Sequence, residues 1–72
     1  MKKVINVFIC QYSCVTAMDA ALEFFQSTVG GDITSDEICC DGSVFWTRDR
    51  DIIVSEIEPM VFRVEELGEE LN

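Results

Sequence analysis

Apolar residues cluster at the start of the chain as Val4, Ile5, Val7, Phe8 and Ile9, interrupted only by Asn6, and then recur at helical spacing as Met18, Leu22, Phe25 and Val29. The first run is rich in β-branched residues and predicts a strand over residues 4–9. The second predicts an amphipathic helix that covers it, its stripe widened by Ala21 and Phe24, with Asp19, Glu23 and Gln26 on the opposite side. Thr16-Ala17-Met18-Asp19 is a Thr-x-x-Asp variant of the capping box and marks the helix start. Gly30-Gly31 is expected to end it, because glycine accepts the left-handed backbone that C-terminal caps use.

Residues 32–42 are polar, with a second capping box at Thr34-Ser35-Asp36-Glu37; they predict one helical turn, closed by Gly42, that carries Ile38 and Cys39 inward. An aromatic strand over 43–47, a charged turn over 48–51 and a return strand over 52–57 form an antiparallel hairpin. The turn lacks Asn-Gly, so its register stays open. After Pro59 two periods compete. Met60, Phe62 and Val64 alternate as in a strand, whereas Met60, Val64, Leu67 and Leu71 recur as in a helix. The favoured expectation is an extended piece to residue 64 and then a helical turn or two over 65–71, weakened by Gly68. Residues 1–72 thus form a single compact α+β domain, a small two-layer sandwich of strand, helix, hairpin and C-terminal strand or short helix, with a mainly antiparallel sheet.

Charge alters this picture. The chain carries a formal charge of −9, and 49% of its 72 residues are apolar. Residues 1–31 are balanced, with Lys2 and Lys3 against Asp19 and Glu23, so the whole excess lies beyond Gly31, where Arg48, Arg50 and Arg63 are outnumbered by carboxylates. Direct binding of nucleic acid is disfavoured, since it depends on cations neutralising phosphates and the chain has 5 Lys and Arg in total. A positively charged protein is the expected partner, most concretely a nucleic-acid-binding complex whose cationic surface an acidic mimic would occupy. The candidate partner-binding residues are Asp36, Glu37, Asp41, Glu65, Glu66, Glu69 and Glu70, with Trp46 as the apolar anchor. In composition and size the chain is similar to the small anti-restriction and anti-CRISPR proteins that bacterial viruses encode, which implies an inhibitor at work in a host cytosol.

Cys10, Cys14, Cys39 and Cys40 form an even set in a short chain, which suits a disulfide framework only with an export signal. The apolar run after Lys2 and Lys3 imitates such a signal but is short and broken by Asn6 and Gln11, so it reads as a strand in a reducing, cytoplasmic setting. No stretch approaches the roughly 18 apolar residues of a membrane span. The simplest reading makes the cysteines small apolar residues, with Cys10 and Cys39 in the core.

Val7-Phe8 followed by Cys10-Gln11-Tyr12-Ser13-Cys14 before an amphipathic helix, and later Val44-Phe45, resembles a glutaredoxin over about half the chain. The resemblance implies thiol–disulfide chemistry with Cys14 as nucleophile and Cys10 as its partner. The sequence departs from that family in its Cys-x-x-x-Cys spacing, in having no proline before Val44 and in lacking a second strand–helix unit. Other chemistry finds less support. Adjacent Cys39 and Cys40 point different ways, which disfavours a zinc tetrahedron. Without histidine a nucleophile lacks its usual base, and no glycine-rich loop precedes a helix to hold phosphate. The expectation is a protein with no catalysis, metal or cofactor that works by binding. The rival is a self-associating accessory subunit, because Phe45, Trp46, Ile52, Ile53, Met60 and Phe62 exceed what one side of a thin sheet buries; a homodimer would hide the rest.

Overall fold

The computed structural model describes residues 2–13 and 16–69. These form β1 (Lys2–Gln11), α1 (Ala17–Thr28), one 3-10 turn (Ser35–Glu37), β2 (Cys39–Asp41), β3 (Val44–Thr47), β4 (Arg50–Glu58) and β5 (Val61–Glu69). All the strands pair antiparallel, in the order β1-β5-β4-β3-β2. With α1 packed against this sheet, the architecture is the expected small α+β fold.

Helix α1 starts as its sequence dictates: the Thr16 hydroxyl accepts from the Asp19 amide at 3.1 Å, satisfying one of the donors that a helix N-terminus leaves free. Its end differs from expectation. Neither Gly30 nor Gly31 adopts a positive φ. The amides of Val29 and Gly30 both close on the Phe25 carbonyl, at 2.8 and 3.2 Å. A Cβ on Gly30 would lie 2.7 Å from Asp32 Oδ1, so close approach, not handedness, suits glycine there.

Ala20, Ala21, Phe24 and Phe25 of α1 are buried against Phe45, Ile52, Val54, Phe62 and Val64 of the sheet, with Ile33 and Ile38 closing the core. Ile38 points inward as expected. Cys39 does not: it is exposed, because β2 is a sheet edge beyond the reach of the helix and its next residue falls on the other face.

The largest departure is β5. Residues 65–69 are strand, not helix, and β5 lies between β1 and β4, pairing with both. Two ladders along one segment outweigh its local helical spacing, a long-range effect that periodicity does not register. Gly68 belongs to this arrangement. A Cβ there would lie 2.6 Å from Ile5 Cδ1, since β1 carries an irregularity between Val4 and Asn6 that brings Ile5 over the glycine. The turns flanking β4 are two residues long; Arg48 and Met60 hold the left-handed conformation in them, with φ of 55° and 66°.

Candidate functional site

Side chains alternate across a strand, so the registers divide the sheet into two faces. One lies under α1. The other is uncovered among the described residues, and its residues fall into rows across the strands: Cys39, Trp46, Asp51, Leu67 and Val4; then Asp41, Val44, Ile53, Glu65 and Val7; then Ser55, Arg63 and Ile9; then Glu58, Val61 and Gln11. Most are apolar. Val7 is 56%, Ile9 62% and Trp46 36% exposed, while Val44, Ile53, Val61 and Leu67 are half-buried by their neighbours. Charged residues separate them: Asp51 stands between Trp46 and Leu67, and Glu65 between Ile53 and Val7.

Carboxylates punctuate this face. Asp41 and Glu58 are exposed on it. Asp51 pairs with the Lys2 ammonium, and that hydrogen bond, reinforced by the carboxylate's charge, raises the Lys2 pKa above its ordinary value. Glu65 lies 3.6 Å from Arg63 on the same face. The uncovered side is therefore mixed, with Asp51, Glu65 and Arg63 interleaved among its apolar residues.

The expected partner-binding residues separate along these faces. Asp41, Trp46, Glu65 and Glu69 share the uncovered side, Glu69 at its end opposite Lys2. Glu66 turns to the helix side, where its side chain is only 13% exposed and accepts from Arg50 at 2.9 Å and Asn6 at 3.0 Å. Glu65 and Glu66 point apart because they are neighbours in a strand; only a helix would have set 65, 66 and 69 along one flank. Asp36 and Glu37 sit in the 3-10 turn, Glu37 binding Arg48 at 3.3 Å together with Asp32. Glu70 lies outside the described residues, as does Cys14, the thiol that the glutaredoxin resemblance singles out.

The apolar residues of the uncovered face were the part of the site that composition did not reveal. The signal was present as alternation, since Val7 and Ile9 are out of phase with Phe8 and Cys10, as is Ile53 with Ile52 and Val54. The cysteines do not converge. Cys10 is half-buried under the helix side, Cys39 and Cys40 are exposed on opposite faces of β2, and all three are free thiols. Among the described residues no group of three or more His, Cys, Asp or Glu side chains is placed to hold a metal ion, and no helix is long and apolar enough to cross a membrane.

Fold and face together define a small α+β protein whose antiparallel sheet is covered, among the described residues, on one side only. No family model, curated protein or solved structure matches the chain.

Proposed function

We propose that the protein acts by binding, without catalysis of its own, and that the uncovered sheet face docks on a positively charged protein. The observation that carries this reading is the position of Trp46 among exposed apolar side chains with Asp41, Asp51 and Glu65 interleaved. Apolar contact at Trp46 supplies the affinity, and the net charge of −9 speeds the encounter with a cationic surface. In its narrower form the partner handles nucleic acid, and the protein inhibits it by occupying the surface that would otherwise hold phosphates. That form draws on the overall charge more than on any regular array of carboxylates.

The test is capture from a host lysate on immobilised protein, with wild type and Trp46→Ala, at about 50 mM and about 500 mM salt, conditions that differ several-fold in screening length. The expected partner is retained by wild type at low salt, is weakened at high salt and by Trp46→Ala, and is displaced by duplex DNA if the narrower form holds. Identical captures by the two proteins would refute the reading.

A second reading, self-association as a subunit, is favoured by one specific feature: β1 lies at the sheet edge and is exposed along nearly its whole length.

A further inference from the structure

We infer that two copies of this chain join through β1, edge to edge and antiparallel, so that two five-stranded sheets become one of ten strands. This rests on the self-association reading and is independent of the cationic partner, whose anchor Trp46 lies three strands away.

The geometry of β1 identifies the groups that would pair. The Tyr12 amide donates to the Met60 carbonyl at 2.9 Å, one step beyond the pair formed by Gln11 and Val61. Hydrogen-bonded and non-bonded pairs alternate along an antiparallel ladder. Cys10, Phe8 and Asn6 therefore turn their backbone groups toward β5, whereas Val7, Ile9 and Gln11 turn theirs toward the open edge. Those three also carry side chains on the uncovered face, so they offer another strand both backbone and apolar contact.

Two observations point to a second copy as the occupant. The first is charge: β1 contains Lys2 and Lys3 and no carboxylate in its 10 residues, whereas the chain as a whole is at −9. Joining at β1 holds the other edge of each copy, with Asp41 on β2, about four strand spacings or ~19 Å from the junction, more than twice the Debye length in physiological salt. The second is closure. The irregularity at Ile5 and the two lysines guard the first half of β1, devices that discourage edge pairing. The opposite edge, β2, is only 3 residues long. Pairing is confined to residues 6–11 and ends at two copies, with no exposed edge long enough to propagate a fibre.

The register follows from the same three residues. Placing Ile9 opposite Ile9 of the second copy, with Val7 opposite Gln11 on each side, lets all of them bond, giving about six backbone hydrogen bonds around a two-fold axis.

The experiment is sedimentation equilibrium over about a hundredfold range of protein concentration, since a homodimer obeys mass action. Wild type is expected to reach dimer mass. Ile9→Lys and Ile9→Glu each set like charges face to face at the axis, so each alone is expected to stay monomeric, while an equimolar mixture regains the dimer. Ile9 is 62% exposed, so both variants should keep the wild-type circular dichroism, which serves as the control for folding. A wild type that stays monomeric throughout would overturn self-association itself. A dimer that persists in both single variants would overturn only the β1 junction.

Discussion

The two faces of the sheet are built from the same strands and differ in what meets them. Under the helix, Phe45, Ile52, Val54, Phe62 and Val64 are almost wholly withdrawn from water. One residue along each strand, Trp46, Ile53, Val7 and Ile9 stand on a mixed apolar and charged surface that no other described element covers. Burial of side chains stabilises a fold only where something closes over them. A single helix of 12 residues can close over one side. The covered face holds the protein together.

Substitution should break this contrast most sharply. Phe62→Ala on the covered face removes a fully buried ring and is expected to cost about 3–5 kcal/mol, comparable to the entire stability of a domain this small; the variant should be unfolded by circular dichroism at 25 °C. At a protein concentration low enough to keep the chain monomeric, Ile9→Ser on the uncovered face should shift a urea midpoint by no more than about 0.5 kcal/mol equivalent. If the two behaved alike, the faces would not differ as described.

Smaller effects sharpen the picture within each region. Thr47 is 2% exposed on the covered side, and its Oγ1 finds no hydrogen-bond partner among the described residues. A buried hydroxyl without a partner costs about 1–3 kcal/mol, so Thr47→Val should stabilise by about 1 kcal/mol in chemical denaturation. At the β4–β5 turn, Met60 holds φ 66° with its side chain 44% exposed. Left-handed backbone disfavours a side chain by about 1–2 kcal/mol, partly offset by the extra freedom of glycine when unfolded, so Met60→Gly should raise the thermal midpoint slightly.

The smallest effect belongs to pH. Hydrogen bonding to Asp51 lifts the Lys2 pKa above 10.5. The contribution of the pair is complete below that value and is lost as pH rises through the higher folded-state pKa. Wild type should therefore lose more stability than Asp51→Asn as pH rises from neutral through and beyond 10.5, the direction that follows from the raised pKa. Because Lys2 is solvent-exposed, the difference should be small and reduced by salt.

How far the sequence revealed this can be followed element by element. Strand β1, helix α1 with its Thr16 cap and the β3–β4 hairpin were legible because hydrophobic period and local capping carry them. The placement of β5 was not. The Met60, Val64, Leu67 and Leu71 spacing is helical, and what decides against a helix is pairing with β1 and β4, where Glu66 stands opposite Asn6, 60 residues earlier in the chain. That one reassignment also dispersed the candidate site, sending Glu66 to Arg50 on the helix side while Glu65 stayed with Arg63. Charge counted along a chain does not say which face a carboxylate occupies; strand parity does, once the strand is known.

The binding claim is tested most directly by the dissociation constant of the captured partner for Trp46→Ala and for the pair Asp36→Asn and Glu37→Gln, at matched ionic strength. Loss of an aromatic anchor is expected to weaken binding by about 2 kcal/mol, or roughly thirtyfold, while neutralising the two carboxylates of the 3-10 turn leaves the constant within about threefold, as for charges outside a contact. Binding that ignored Trp46 and collapsed on neutralising Asp36 and Glu37 would place the contact on the helix side and contradict the account.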